Sequence, residues 1–132
     1  MKIIFIWLIL TPLSIPEVSI RIEFHSQKIT QAYLDALQSD AQWDSNPLVM
    51  AYVGVSETML AENAFWPGEK WNYFNSGKEK IEQAIDQNQD NPELRYLRLL
   101  VQLNAPSFLS YDESIETDLE FYIRNILNSG LN

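Results

Sequence analysis

A chain of 132 residues with nine Lys and Arg against eighteen Asp and Glu carries a formal charge of −9, a field that repels phosphate backbones and anionic bilayers and argues against nucleic-acid and membrane-surface partners. The same field attracts cations and the basic segments of other proteins. The length suits one domain able to bury about two thirds of its unfolded surface, and the absence of cysteine excludes disulfides, thiolate nucleophiles and cysteine-ligated zinc.

At the N-terminus Lys2 precedes an unbroken apolar run over residues 3–10, followed by a weaker segment holding Pro12 and Pro16. The run falls short of the roughly twenty residues a bilayer span needs and has the charge-then-apolar order of a secretory leader. Cleavage candidates near Ser14 and Ser19 lack an A-x-A-like site. Residues 1–19 are read as a signal peptide or apolar leader and 20–132 as a single helical domain. The protein is then periplasmic or secreted, with no transmembrane span once the leader is removed. The alternative is a buried N-terminal strand in a cytoplasmic protein. Residues 20–24 alternate briefly and read as an extended lead-in.

Every later segment has helical period. The first helix is predicted over 26–38, with Ser26 as N-cap and Ile29, Ala32, Tyr33, Ala36 and Leu37 on its inner stripe. The second, over 47–63, opens on Pro47 after a capping Ser45 or Asn46. It is apolar around most of its girth (Leu48, Ala51, Tyr52, Val55, Met59, widened by Val49, Val53 and Leu60), which predicts a central position. Gly54 would let a neighbouring backbone come close. After the break at 64–71, a third helix over 69–88 turns Phe74, Gly77, Ile81, Ala84 and Ile85 inward and its charged residues outward. The fourth, over 92–104, has two apolar faces separated by a narrow stripe of Arg95, Arg98 and Gln102. Pro106 stops it. A fifth helix is capped by Ser110 or Asp112, with Ser110 and Glu113 fitting a capping box. It is expected to bury Ile115, Leu119, Tyr122, Ile123 and Ile126 and to end at Gly130.

Two blocks begin alike, at Asn46-Pro47 and at Asn91-Pro92, 45 residues apart, and each runs to an Asn-Ala before a further helix. Such a period suits stacked helix pairs. Residues 73–93 resemble the second helix of a tetratricopeptide repeat at Gly77, Ile81, Ala84, Ile85 and the Asp-Asn-Pro exit. They depart from it in period and in lacking the early tryptophan-leucine-glycine cluster. The resulting expectation is an all-α fold of about five helices, in tetratricopeptide-like antiparallel hairpins forming a compact bundle. The set Asn91, Pro92, Glu93, Arg95, Arg98, Asn104, Ala105, Pro106, Tyr111 and Asp118 is also similar to a family of small uncharacterised Bacteroidota proteins. That resemblance extends back to about residue 46 and implies a fold but no activity.

Arg95 and Arg98 admit two readings. They could clamp an anion or carboxylate with the guanidinium fork, or pair with acids of neighbouring helices such as Glu57, Asp112 or Asp118. Because an unpartnered buried charge is too costly and acids are in excess, the structural reading is preferred. The aromatic group Phe65, Trp66, Trp71, Tyr73 and Phe74 is either a binding surface or a roof over the core. His25 is the sole histidine and has no companion ligand. Residues 112–118 lack the central glycine of an EF-hand loop, so no metal or cofactor is called for. The expected function is a non-catalytic module that binds an unknown protein or peptide. The rivals are a small-ligand binder or enzyme using Arg95, Arg98, Tyr111, Trp66 and Trp71, and a structural subunit of an envelope assembly. A ligand site would point an arginine fork into a deep pocket, and a structural subunit would bare an apolar face on the first or last helix.

Overall fold

The computed structural model describes residues 15–26 and 28–128, and all regular structure there is helical. In chain order the elements are α1 (Glu17–Ser26), α2 (Gln31–Gln38), α3 (Pro47–Ala61), α4 (Pro67–Gln87), α5 (Pro92–Asn104), a 3-10 turn (Ser107–Leu109) and α6 (Ile115–Asn128). The apolar run of the leader, Ser14 and the terminal Gly130 lie outside the described residues.

Proline sets three of the starts. Pro47, Pro67 and Pro92 stand in the first turns of α3, α4 and α5, where a fixed φ suits the helix and the missing N–H is not needed. Asn46 and Asn91 complete two of these starts. Their side-chain oxygens accept from Leu48 N at 3.1 Å and Glu93 N at 3.0 Å.

The N-terminal part differs from the pattern-based expectation. Residues 20–24 are not extended; they lie within α1, which buries Ile20 and Phe24 four residues apart and leaves Ile22 62% exposed. Ile20, Ile22 and Phe24 mimic a period of two, yet only the pair with helical spacing points inward. Ser26 ends α1, and Thr30 caps the next helix by accepting from Tyr33 N at 3.2 Å. Ala32 and Ala36 are exposed, and Leu34 joins Ile29, Tyr33 and Leu37 in the core. Residues 17–19, read from the sequence as the end of the leader, lie within α1.

The middle of the bundle is α3, buried without interruption from Leu48 to Thr58 and touching α2, α4 and α5. Its late polar residues satisfy themselves: Ser56 and Thr58 donate their hydroxyls back to the carbonyls of Tyr52 and Val55, each at 2.7 Å. The α3–α4 pair is an antiparallel hairpin held backbone to backbone where Gly54 meets Gly77. A Cβ built on Gly54 would stand 2.6 Å from the Gly77 carbonyl oxygen, and one on Gly77 would meet the Gly54 carbonyl and the Thr58 side chain.

The last helix departs from expectation in two ways. Ser110 takes a left-handed φ of 49° and closes the 3-10 turn, so it forms no capping box, and α6 begins at Ile115. Moreover, the only fully buried residue of α6 is Asp118. Leu119 and Ile123, expected inside, are 44% and 48% exposed, and Leu127 is 76% exposed. Among the described residues α6 packs chiefly on α5.

Replacing Gly77 by alanine should lower stability by about 2 kcal/mol or more, because a backbone oxygen cannot move aside as a flexible side chain would. The ~1 kcal/mol gain in helix propensity offsets only part of that. Urea denaturation of Gly77→Ala checks this, and a variant at least as stable as the parent would contradict the close approach.

Candidate functional site

The polar stripe of α5 faces α6. Asp118, with no exposed surface, accepts from Arg98 Nε at 2.7 Å and Nη2 at 2.6 Å, from Gln102 Nε2 at 2.9 Å and from Arg95 Nη1 at 3.3 Å. Arg98 Nη1 turns the other way, to Glu82 on α4 at 2.8 Å, and Tyr111 donates to the second Glu82 oxygen at 2.6 Å. Two guanidiniums and two carboxylates thus form a neutral cluster joining α4, α5 and α6. Gln102 extends it by accepting from Ser114 N at 2.9 Å, which fixes the entry to α6. Burial acts to lower the Arg98 pKa, but the bonds it donates to Asp118 and the charges of Glu82 and Asp118 outweigh it and hold the cation above its ordinary value. Burial and Glu82 together push the Tyr111 hydroxyl up, so it stays a donor. Arg95 is less fully used: its Nε is buried with no acceptor among the described residues, and its guanidinium lies 5.1 Å from the Phe121 ring.

Of the acids considered as partners of these arginines, Asp118 takes both. Glu57 pairs instead with Lys80 of α4 at 3.0 Å, and Asp112 is exposed. Beside Tyr111 is a cavity of about 190 Å³ whose lining includes Lys78, Glu82, Gln102 and Glu113; neither arginine lines it. The aromatic group divides. Phe74 is buried and edge-on to Tyr111 at 5.9 Å, while Phe65, Trp66 and Trp71 are exposed. Trp66 and Trp71 line neither this cavity nor the cleft described next.

A second polar cluster binds α1 to the start of α5. Arg21 donates from Nε and Nη2 to the two Glu93 oxygens, both at 2.6 Å, and reaches Glu17 at 3.4 Å, while the Tyr52 hydroxyl donates to Glu93 at 2.7 Å. Burial alone would raise the Glu93 pKa; the bonds from Arg21 and Tyr52 and the Arg21 charge reverse this and lower it below the ordinary carboxylate value. Next to Glu93 opens a cleft of about 400 Å³ between α1, α5 and α6, lined by His25, Pro92, Glu93, Tyr96 and Tyr122. The Tyr96 and Tyr122 rings stack at 5.4 Å, and the His25 ring lies 6.0 Å from Tyr96. In the sequence Tyr122 belongs to the apolar stripe of the last helix and His25 stands alone. No local spacing links three residues that come together only through tertiary packing.

Among the described residues no group of His, Cys, Asp and Glu could hold a metal ion, and no helix is long and apolar enough to cross a membrane. Compared with family models, curated proteins and solved structures, the chain finds no match in any of the three. Geometry alone therefore carries the functional reading.

Truncating Arg98 to alanine leaves Asp118 buried with only Gln102 and the longer Arg95 contact, and should cost about 3 kcal/mol or more in denaturant unfolding. Arg95→Ala should cost markedly less. Equal, small losses for the two would contradict the inequality of their bonds. For Glu93 the folded pKa lies below the unfolded one, so its stabilisation is complete above the ordinary carboxylate range and is lost as pH falls through the folded value. The stability gap between the parent and Glu93→Gln should therefore shrink as pH falls from about 6 to about 2. A gap that stays constant over that range would refute the linkage.

Proposed function

We propose that this chain is a non-catalytic protein-interaction module that docks its partner along the edge made by α1, α5 and α6. The observation that carries the reading is the open flank of α6. Leu119, Ile123 and Leu127 recur at every fourth residue, which aligns them on one strip beside the Tyr122 cleft. Amphipathic helices keep such strips for a partner. The arginine cluster supports the same conclusion from the other side, because the Arg98 fork is spent on Asp118 and Glu82 and neither arginine lines either of the two cavities described above. Paired helices α3–α4 and α5–α6 are compatible with a tetratricopeptide-like design, and the leader with export after cleavage near Ser14.

A second reading, a subunit of a larger envelope assembly, draws support from α1. Val18 and Ile22, both 62% exposed, form a short apolar strip of their own. Two bare strips on separate helices suit a piece that contacts more than one neighbour.

The absence of cysteine allows a direct test. A single cysteine at Ile123, or at the exposed Gln83 of α4 as control, can carry a photo-crosslinker in the full chain expressed in its native host. A defined heterologous adduct from position 123 and none from 83 is the expected outcome. Adducts only between copies of this chain would replace the module by the assembly subunit. Equal labelling from both positions, or none from position 123, would refute the docking edge.

A further inference from the structure

Resting on that docking edge, we propose that the cleft between α1, α5 and α6 is an arginine pocket. It receives the guanidinium of a basic, apolar-flanked segment of the partner against an outer face of the Tyr96–Tyr122 stack, with Glu93 and the free hydroxyls as acceptors.

Charge comes first. Glu93 of the cleft lining shares one cation, Arg21, with Glu17, which stands outside that lining on α1, so that two carboxylates meet one guanidinium and one negative charge is left over beside the cleft. The whole chain adds a field of −9. An anion is disfavoured on both counts, and a second copy of this chain would bring another −9 to the contact.

Unspent bonding capacity comes next. Glu93 Oε1 accepts from both Arg21 and Tyr52, but Oε2 accepts only from Arg21, and a carboxylate offers about four acceptor sites. The Tyr96 and Tyr122 hydroxyls and the His25 ring nitrogens make no hydrogen bond among the described residues. They are thus available to a planar donor group, and an outer face of the stacked pair is one that a guanidinium covers better than a compact ammonium does.

Finally, the cleft does not end at its polar lining. Ile22 lies three residues before His25 on α1, and Leu119 three before Tyr122 on α6, and both are exposed. Helical spacing puts each on the strip that borders the cleft. A volume of about 400 Å³ exceeds what one guanidinium fills, and the apolar borders suit the residues on either side of an arginine in a peptide rather than a free cation.

The probe is a capped peptide with one arginine between leucines, compared with the same peptide carrying neutral, isosteric citrulline, in titrations followed by NMR of the full chain. The arginine peptide should shift the Tyr96, Tyr122 and His25 resonances and bind on the order of tenfold tighter than the citrulline peptide, with affinity falling as salt rises. Tyr122→Ala and, separately, Tyr96→Leu should each remove most of that preference without loss of the folded spectrum. Equal binding of the two peptides at the cleft would overturn the arginine assignment and leave the docking edge standing. Ethylguanidine binding as tightly as the peptide would replace the partner segment by a small cation. Shifts elsewhere or nowhere, while the Ile123 cross-link persists, would remove the pocket alone; loss of that cross-link would remove the edge and the pocket together.

Discussion

Asp118 is a carboxylate with no exposed surface, and a charge so placed is tolerable only if its surroundings replace water completely. Here they do, with four N–H donors from three side chains of one helix face. The arrangement depends on the three- and four-residue spacing of Arg95, Arg98 and Gln102, which sets three donors in line along α5 so that one acid on α6 meets all of them. Glu82 then ties Arg98 to α4 and holds Tyr111 over the junction. Without this cluster α6 would rest on little else, since none of its apolar side chains is fully buried. A helix fixed by polar contacts on one side is free to leave its apolar residues on the other side uncovered, and α6 does so.

The core is organised differently. α3 is apolar around most of its circumference and can only be central. The meeting of Gly54 with Gly77 brings α4 against it with no side chain between. That part of the molecule is closed by shape, with Lys80–Glu57 as a lateral tie. The flanks are less closed: α1 and α6 border α5 without sealing the space between them, and the cleft of about 400 Å³ is the result.

How much of this the chain itself announces depends on the range of the interaction. α3 and α5 are legible because their signals are local, a proline in the first turn with an asparagine before it, and α4 by its clear apolar period, although Pro67-Gly68, which reads as a turn, in fact opens that helix. The buried role of an arginine pair amid leucines is also legible, since desolvation requires acids somewhere. Which acid answers is not, because Asp118, Asp112 and Glu57 are alike in sequence and are separated only by packing. α1 was misread for a physical reason: a short helix with isoleucine on both its inner and outer sides imitates strand alternation. The outer flank of α6 was misread because periodicity reveals which residues could be buried, and not whether another element arrives to bury them. The cleft was invisible altogether, since His25, Tyr96 and Tyr122 lie on three helices.

The two polar clusters point to a division of labour. Around Asp118 the charges cancel and all three nitrogens of the Arg98 fork are engaged, so that the cluster holds helices together and has little left to offer a ligand. Around Glu93 they do not cancel: Arg21 answers one carboxylate tightly at 2.6 Å and a second only at 3.4 Å, and an oxygen of Glu93 keeps acceptor capacity in the cleft that the stacked Tyr96 and Tyr122 also line. A buried neutral network lowers the local field; an edge network with excess negative charge, in a chain already at −9, strengthens it toward a cationic group. The apolar strips bordering that edge then decide how the cation is presented. On a free ion they would stay wet, whereas on a partner segment they are covered, and the burial of apolar surface adds to the charge attraction.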